Sequence, residues 1–256
     1  MKIIRFYYLL ILLISTKVFS TGQVPDYLII DNDTLKIHSN PLEPYFEKNP
    51  IPDNLITMRS TANWRGYIAY FKFVNNNLVV ENIYKEEYRT NSEGRHEDFL
   101  TSIYKDVFGE TIDFPCDFYT GLLVCPYGEI LEYVHMGYSS TYEFYKLFEV
   151  KSGVFIKSKE MTGDEYSAFK LEHYRYFKTT EDYKIEREKF KQMMNETDAM
   201  FAEDVKKKSK KKKSSSKENS YLKQKEAEYH QNKMLDSFMF QFLNNYIKTI
   251  DVPKKN

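Results

Sequence analysis

Glycine and proline are scarce in this chain, nine and eight residues among 256. That scarcity excludes collagen-like, fibrous and low-complexity folds, which need them in quantity. No internal repeat is visible either. Excess charge of one sign is missing too: 37 basic residues balance 37 acidic ones, so bulk charge names no polyanionic partner. There is no apolar run long enough to span a membrane, because Phe6 to Ile14 (FYYLLILLI) covers only about 15 Å of helix against a hydrocarbon core of ~30 Å. GxSxG, HExxH, phosphate loops and metal-spaced clusters are absent. No cofactor and no metal site is therefore expected.

What is present begins with a charged opening, MKIIR, followed by the short apolar core and Val18-Phe19-Ser20. Together they predict a signal peptide over residues 1–20, cleaved after Ser20. No cysteine lies near that junction, which excludes a lipid-modified N-terminal cysteine. The expected mature protein is exported to the periplasm or the extracellular space and is soluble. Losing Lys2, Arg5 and Lys17 leaves 34 basic residues against 37 acidic ones.

Tyrosine (22) and phenylalanine (19) are abundant, which suits an aromatic-rich antiparallel sheet. Residues 21–162 read as one such domain, a sandwich or partly open barrel of hairpins, in an α+β chain with a helical C-terminal extension. YLIIDNDTLKIH (Tyr27 to His38) and RGYIAYFKFVNNNLVVENIY (Arg65 to Tyr84) are hairpins, with Asp and Asn at turns that demand the left-handed conformation. The proline-rich stretch Asn40 to Asn54 is a loop with one helical turn. Glu86 to Asp98 (EEYRTNSEGRHED) is polar and aperiodic, and reads as an exposed excursion.

CDFYTGLLVC (Cys116 to Cys125) reads as a third hairpin turning at Thr120-Gly121. Counting outward places Cys116 opposite Cys125 at a non-hydrogen-bonded site, where Cα atoms lie about 4.5 Å apart. In an exported protein that geometry predicts a disulfide; the alternative is a reduced, buried pair.

YGEILEYVHMGYSSTYEFYKLFEV (Tyr127 to Val150) alternates with the period of a strand on both sides of Gly137-Tyr138-Ser139-Ser140. His135 stands next to that bend. A lone histidine is more often structural than catalytic, and acid–base work would require a carboxylate such as Glu143 within reach.

Two pieces, STANWRGYIAYFKFVNNNLVVENI (Ser60 to Ile83) and DFYTGLLVCPYGEILEYVHMGYSSTYE (Asp117 to Glu143), resemble the blocks of a group of uncharacterised bacterial proteins marked by W-R-G-Y and Y-V-H-M-G-Y. The resemblance spans roughly Val24 to Lys157. It implies a shared β-rich domain and brings no activity with it. The two blocks suggest a shallow binding surface at one rim of the sheet, built from Trp64, Arg65, His135 and Tyr138. There the aromatic residues would supply contact area and Arg65 would grip a carboxylate or phosphate. The alternative has Trp64 in the core and Arg65 paired with a nearby acid.

From Gly163 the pattern is helical. Residues 163–205 form an amphipathic segment, with Tyr183, Phe190, Met194 and Phe201 on one face. Residues 206–220 (KKKSKKKKSSSKENS) are a solvated linker, residues 221–250 a second amphipathic helix, and 251–256 a tail. The apolar face of that last helix (Leu235, Met239, Phe242, Tyr246, Ile250) is too wide for water. It must dock on this chain, a second copy, another protein or a membrane surface; nucleic acid is disfavoured, since no aromatics interleave with the lysines. A non-enzymatic binding module explains these features best. A small hydrolase using His135 and an antagonist or immunity-type protein are the other readings.

Overall fold

The computed structural model describes residues 22–56, 59–90, 94–135, 137–208 and 220–253, with the side chains of 89, 96 and 197–230 outside the description. The expected signal peptide, most of the expected lysine linker and the last three residues lie outside the described residues. The chain divides into two compact units, Met1–Gly163 and Asp164–Asn256.

The first unit is one nine-stranded, mostly antiparallel sheet that is not closed into a barrel, ordered β2-β1-β3-β4-β9-β8-β7 with β5 and β6 also on β4. β1 (Asp26–Ile30) and β2 (Asp33–Ile37) form the first expected hairpin, turning at Asp31 with φ 53°. β3 (Tyr67–Val74) and β4 (Asn77–Thr90) form the second, through Asn75 and Asn76 with φ 50° and 65°. The short polar side chains of Asn and Asp tolerate these left-handed angles. Among the described strands β1 also pairs in parallel with β3, an exception to the antiparallel plan. The proline-rich loop holds one helical turn, α1 (Glu43–Phe46).

Three expectations are corrected. The polar excursion is a hairpin: β4 runs on to Thr90 and pairs with β5 (His96–Ser102). Its contacts are polar, Thr101 to Glu87 across the strands at 2.8 Å and Lys85 to Glu87 along β4 at 2.7 Å, so no apolar period betrays it.

The cysteine hairpin does not form. After α2 (Tyr104–Phe108), the short β6 (Phe114–Pro115) pairs with β4, and Cys116 donates its N–H to Leu78 O at 3.0 Å. Gly121 begins β7 (Gly121–Glu132), whose partner is β8 (Thr141–Lys151). Cys125 thus lies opposite Lys146. Both cysteines are free and buried, so the disulfide is not formed and the reduced pair stands. The period of two around Thr120-Gly121 comes from strands pairing elsewhere.

The third correction concerns β7, which ends at Glu132 rather than running on to Met136, leaving His135 in a bend beyond the strand.

β9 (Val154–Thr162) completes the sheet beside β8. The core gathers Leu28, Ile37, Phe71, Val80, Ile83, Leu123, Phe148 and Val150 with both cysteines on one side of the sheet. Two glycines hold the frame. Gly153 has φ 78°, and an added Cβ would stand 2.9 Å from Cys116 O. Gly128 sits at the irregularity of β7 with φ 79°, its missing Cβ leaving room for Glu143 and Phe144.

The second unit is helical. The segment expected over 163–205 is two helices, α3 (Gly163–Phe177) and α4 (Glu181–Lys208), separated where Thr179 and Thr180 bond back to Tyr176 and Phe177. α5 (Ser220–Gln241) ends earlier than expected, in a 3-10 turn over Phe242–Asn245. Its apolar side is packed within this unit: Tyr166 donates to Asn244 Oδ1 at 2.8 Å and Tyr174 to Asp236 O at 3.1 Å. Phe190 stacks on Phe238 and Phe242, and Phe177 on Tyr246. Leu235, Met239, Leu243 and Ile247 are buried, whereas Phe242 of the expected stripe is 39% exposed, because the helix stops before that stripe completes. Phe201 lies outside the described side chains.

Candidate functional site

The two sequence blocks meet at a strap made by the first described residues. Gly22 bridges Gly137, and Gln23 donates its N–H to Gly137 O at 3.1 Å. On the other side Val24 N donates to Ala62 O at 2.7 Å and Gln23 Nε2 to Thr61 O at 2.8 Å. The strap then enters β1 at Asp26, which carries the central ion pair.

Arg65 is that pair's cation. Its Nη1 lies 2.6 Å from Asp26 Oδ2 and its Nη2 donates to Val24 O at 2.8 Å, while Asp26 Oδ1 accepts the Ala69 N–H at 2.9 Å. Asp26 is fully buried and Arg65 nearly so. The guanidinium also stands over the Tyr67 ring, 5.0 Å from its centroid. Burial by itself would weaken Arg65's hold on its proton, but Asp26, with Tyr138 and Tyr67, outweighs it, so the guanidinium stays charged. A charge this deep persists only because its donors are matched.

Tyr138 lies against the same group. Its hydroxyl is shared between Val24 O at 3.3 Å and Asn40 Oδ1 at 3.2 Å, and its ring stacks on His38 at 4.6 Å. Burial pushes its phenol up, out of the range in which tyrosine ionises. Tyr67 donates to Glu43 Oε1 at 2.7 Å, and burial also raises the Glu43 carboxyl, against the opposing pull of Tyr67 and Arg65.

The structure therefore separates the four residues the sequence singled out. Arg65 and Tyr138 come together, but inside, where Arg65 cannot grip a ligand. Trp64 and His135 stay outside. Trp64 is 50% exposed beside Asn63, whose side chain donates to Glu86 at 2.9 Å and accepts the Gly66 N–H at 3.1 Å. His135 is exposed and meets Tyr133 edge-on at 4.5 Å.

Beyond the core the far half of β7 and the residue just past it offer a strip of exposed apolar side chains: Tyr127, Ile130, Leu131 at 63% and, after the strand end, Tyr133 at 57% exposure. The strip continues toward the strap, since the Tyr133 hydroxyl is 3.9 Å from the position a Cβ on Gly22 would take. Sequence reasoning missed Asp26, Glu43, His38 and the strip itself. The signal for the strip was available in GEILEY, where Glu129 and Glu132 flank Ile130 and Leu131 and so mark this end of the strand as facing solvent.

Chemically the inner group is a buried, hydrogen-bonded clamp and the outer one an exposed apolar strip. Among the described residues no group of three or more His, Cys, Asp or Glu side chains is placed to hold a metal ion. No family model, no curated protein and no solved structure matches this chain.

Proposed function

We propose that this chain is a non-enzymatic binding module that works in the exported compartment and takes a protein partner on the exposed strip of β7, with Trp64 and His135 at its margin. The observation that carries this reading is the exposure of Tyr127, Ile130 and Leu131 at one end of a strand whose other half is buried, with Tyr133 exposed just past the strand end. Contiguous exposed apolar patches on a folded domain mark interaction sites far more often than chance surface, and tyrosine with aliphatic neighbours is typical of an interface centre. Export rests on the N-terminal sequence. Membership of the group with W-R-G-Y and Y-V-H-M-G-Y blocks belongs to the same proposal, and the strap gives both blocks one shared task. The partly open barrel is supported by a single bond, His38 N to Val124 O at 2.7 Å, which links the end of β2 with β7.

The test is a double variant, Ile130→Asp with Leu131→Asp, compared with the parent chain in co-purification from the native host. Partner recovery should fall at least about tenfold, as for a hot-spot pair, with the melting temperature unchanged. Full recovery in a folded variant contradicts the assignment of the surface.

A further inference from the structure

We infer that the segment Ile247–Pro253 is a latch released by acid: it packs on His173 while that imidazole is neutral, and leaves when the ring is protonated, widening the pocket it walls.

The latch follows the 3-10 turn and has no regular structure of its own. Tyr246 and Ile247 both bond back to Leu243 O; beyond them the chain is held by side chains. Ile247 and Ile250 are buried, and Lys248 Nζ stands 3.8 Å from Asp182 Oδ2, with both side chains mostly exposed. His173 donates a hydrogen bond to the Ile250 backbone. It does so through Nδ1, because Nε2 is buried with no hydrogen-bond partner. Irregular segments outside the helices can open before the whole domain does.

The state of Nε2 decides whether the latch holds. In the neutral ring, with the proton on Nδ1, Nε2 carries only a lone pair, and His173 is 4% exposed with the Phe169 ring 4.3 Å away. Protonation would place an N–H and a positive charge where neither water nor an acceptor reaches them, a costly arrangement. The charged neighbours are Glu172 on α3, Asp182 on α4, and Lys248 and Asp251 on the latch. Glu172 and Asp251 favour the proton, but burial is the larger influence and holds His173 below its ordinary value.

The sign follows from that direction. A histidine held low when docked stabilises the docked state fully above the unfolded value, about pH 6.5, and loses this contribution as pH falls through the lower, docked value. Beside the latch lies a pocket of about 180 Å³ lined by His173, Tyr176, Phe177, Leu243, Tyr246 and Ile247 among others. Ile247, Lys248, Thr249 and Pro253 supply one of its walls, so their departure widens an apolar site.

The experiment is an NMR titration of the full chain from pH 7.5 to about 5, following the isoleucine methyls and the histidine rings. The Ile247 and Ile250 methyls should move toward unfolded positions with one midpoint below about 6.5, shared with the His173 ring. In His173→Phe they should stay docked throughout. Methyls that do not move in the parent chain, or that move equally in His173→Phe, overturn the latch. Should His173→Phe fail to fold, Asp182→Asn decides. An unchanged midpoint leaves the histidine as trigger, whereas a lost transition assigns it to the carboxylate and overturns the proposal.

Discussion

Arg65 shows how one residue's chemistry fixes its place. A guanidinium has five donors in a fixed fork, and here Asp26 and Val24 O receive it at 2.6 and 2.8 Å with almost no exposure. Removing one partner leaves a buried charge uncompensated, so Arg65→Ala should destabilise the sheet unit by about 3–5 kcal/mol, measured by denaturant unfolding. Trp64→Ala, at a half-exposed neighbour, should cost under about 1 kcal/mol. The pairing of Arg65 with an acid was legible as an alternative in the sequence. Asp26 as that acid was not, because 39 residues separate the two and only the parallel register of β1 on β3 brings them together. The cysteines teach the same lesson. Their spacing matched a hairpin, but spacing does not say which strand a strand will pair with. Peptide mapping should find Cys116 and Cys125 unlinked and unreactive in the folded chain, since both are shielded and burial raises both thiols out of the reactive range. A cross-linked peptide would contradict the reduced pair.

Among the elements, those with a strong local signal were readable. Asp and Asn at left-handed turns located β1–β2 and β3–β4, since few other residues accept those angles. The β4–β5 extension was hidden because charged residues stand among and opposite its few apolar ones, as Glu86 does opposite Leu100 and Glu87 opposite Phe99, and the end of β7 because strand periodicity in the sequence outlasts the strand itself. Helix α5 was placed by its apolar residues, but its stop at Gln241 depends on packing against α3 and α4. The β8–β9 turn offers a test at this scale. Gly153 N donates to Tyr119 O and Gly153 O accepts from Leu78 N, at 2.9 and 2.7 Å, in a conformation that L residues avoid and with no room for a Cβ. Gly153→Ala should therefore lower stability by about 1–3 kcal/mol, read from the shift of the denaturation midpoint. A neutral result would mean that the turn relaxes without disturbing β4.

For the whole molecule the division at Gly163 and Asp164 predicts that a chain ending at Gly163 keeps the cooperative unfolding of the sheet. The wide apolar face on the last helix, which the sequence required to be covered, is packed against α3 and α4 of its own unit. The proposed partner surface is the β7 strip instead. Its role is most directly tested by placing a photo-crosslinking residue at Leu131 in the full chain within its native host, with the exposed Lys36 of β2 as control. The account predicts one discrete protein adduct from position 131 and none from position 36. No adduct at 131, or the same pattern at both positions, would contradict it.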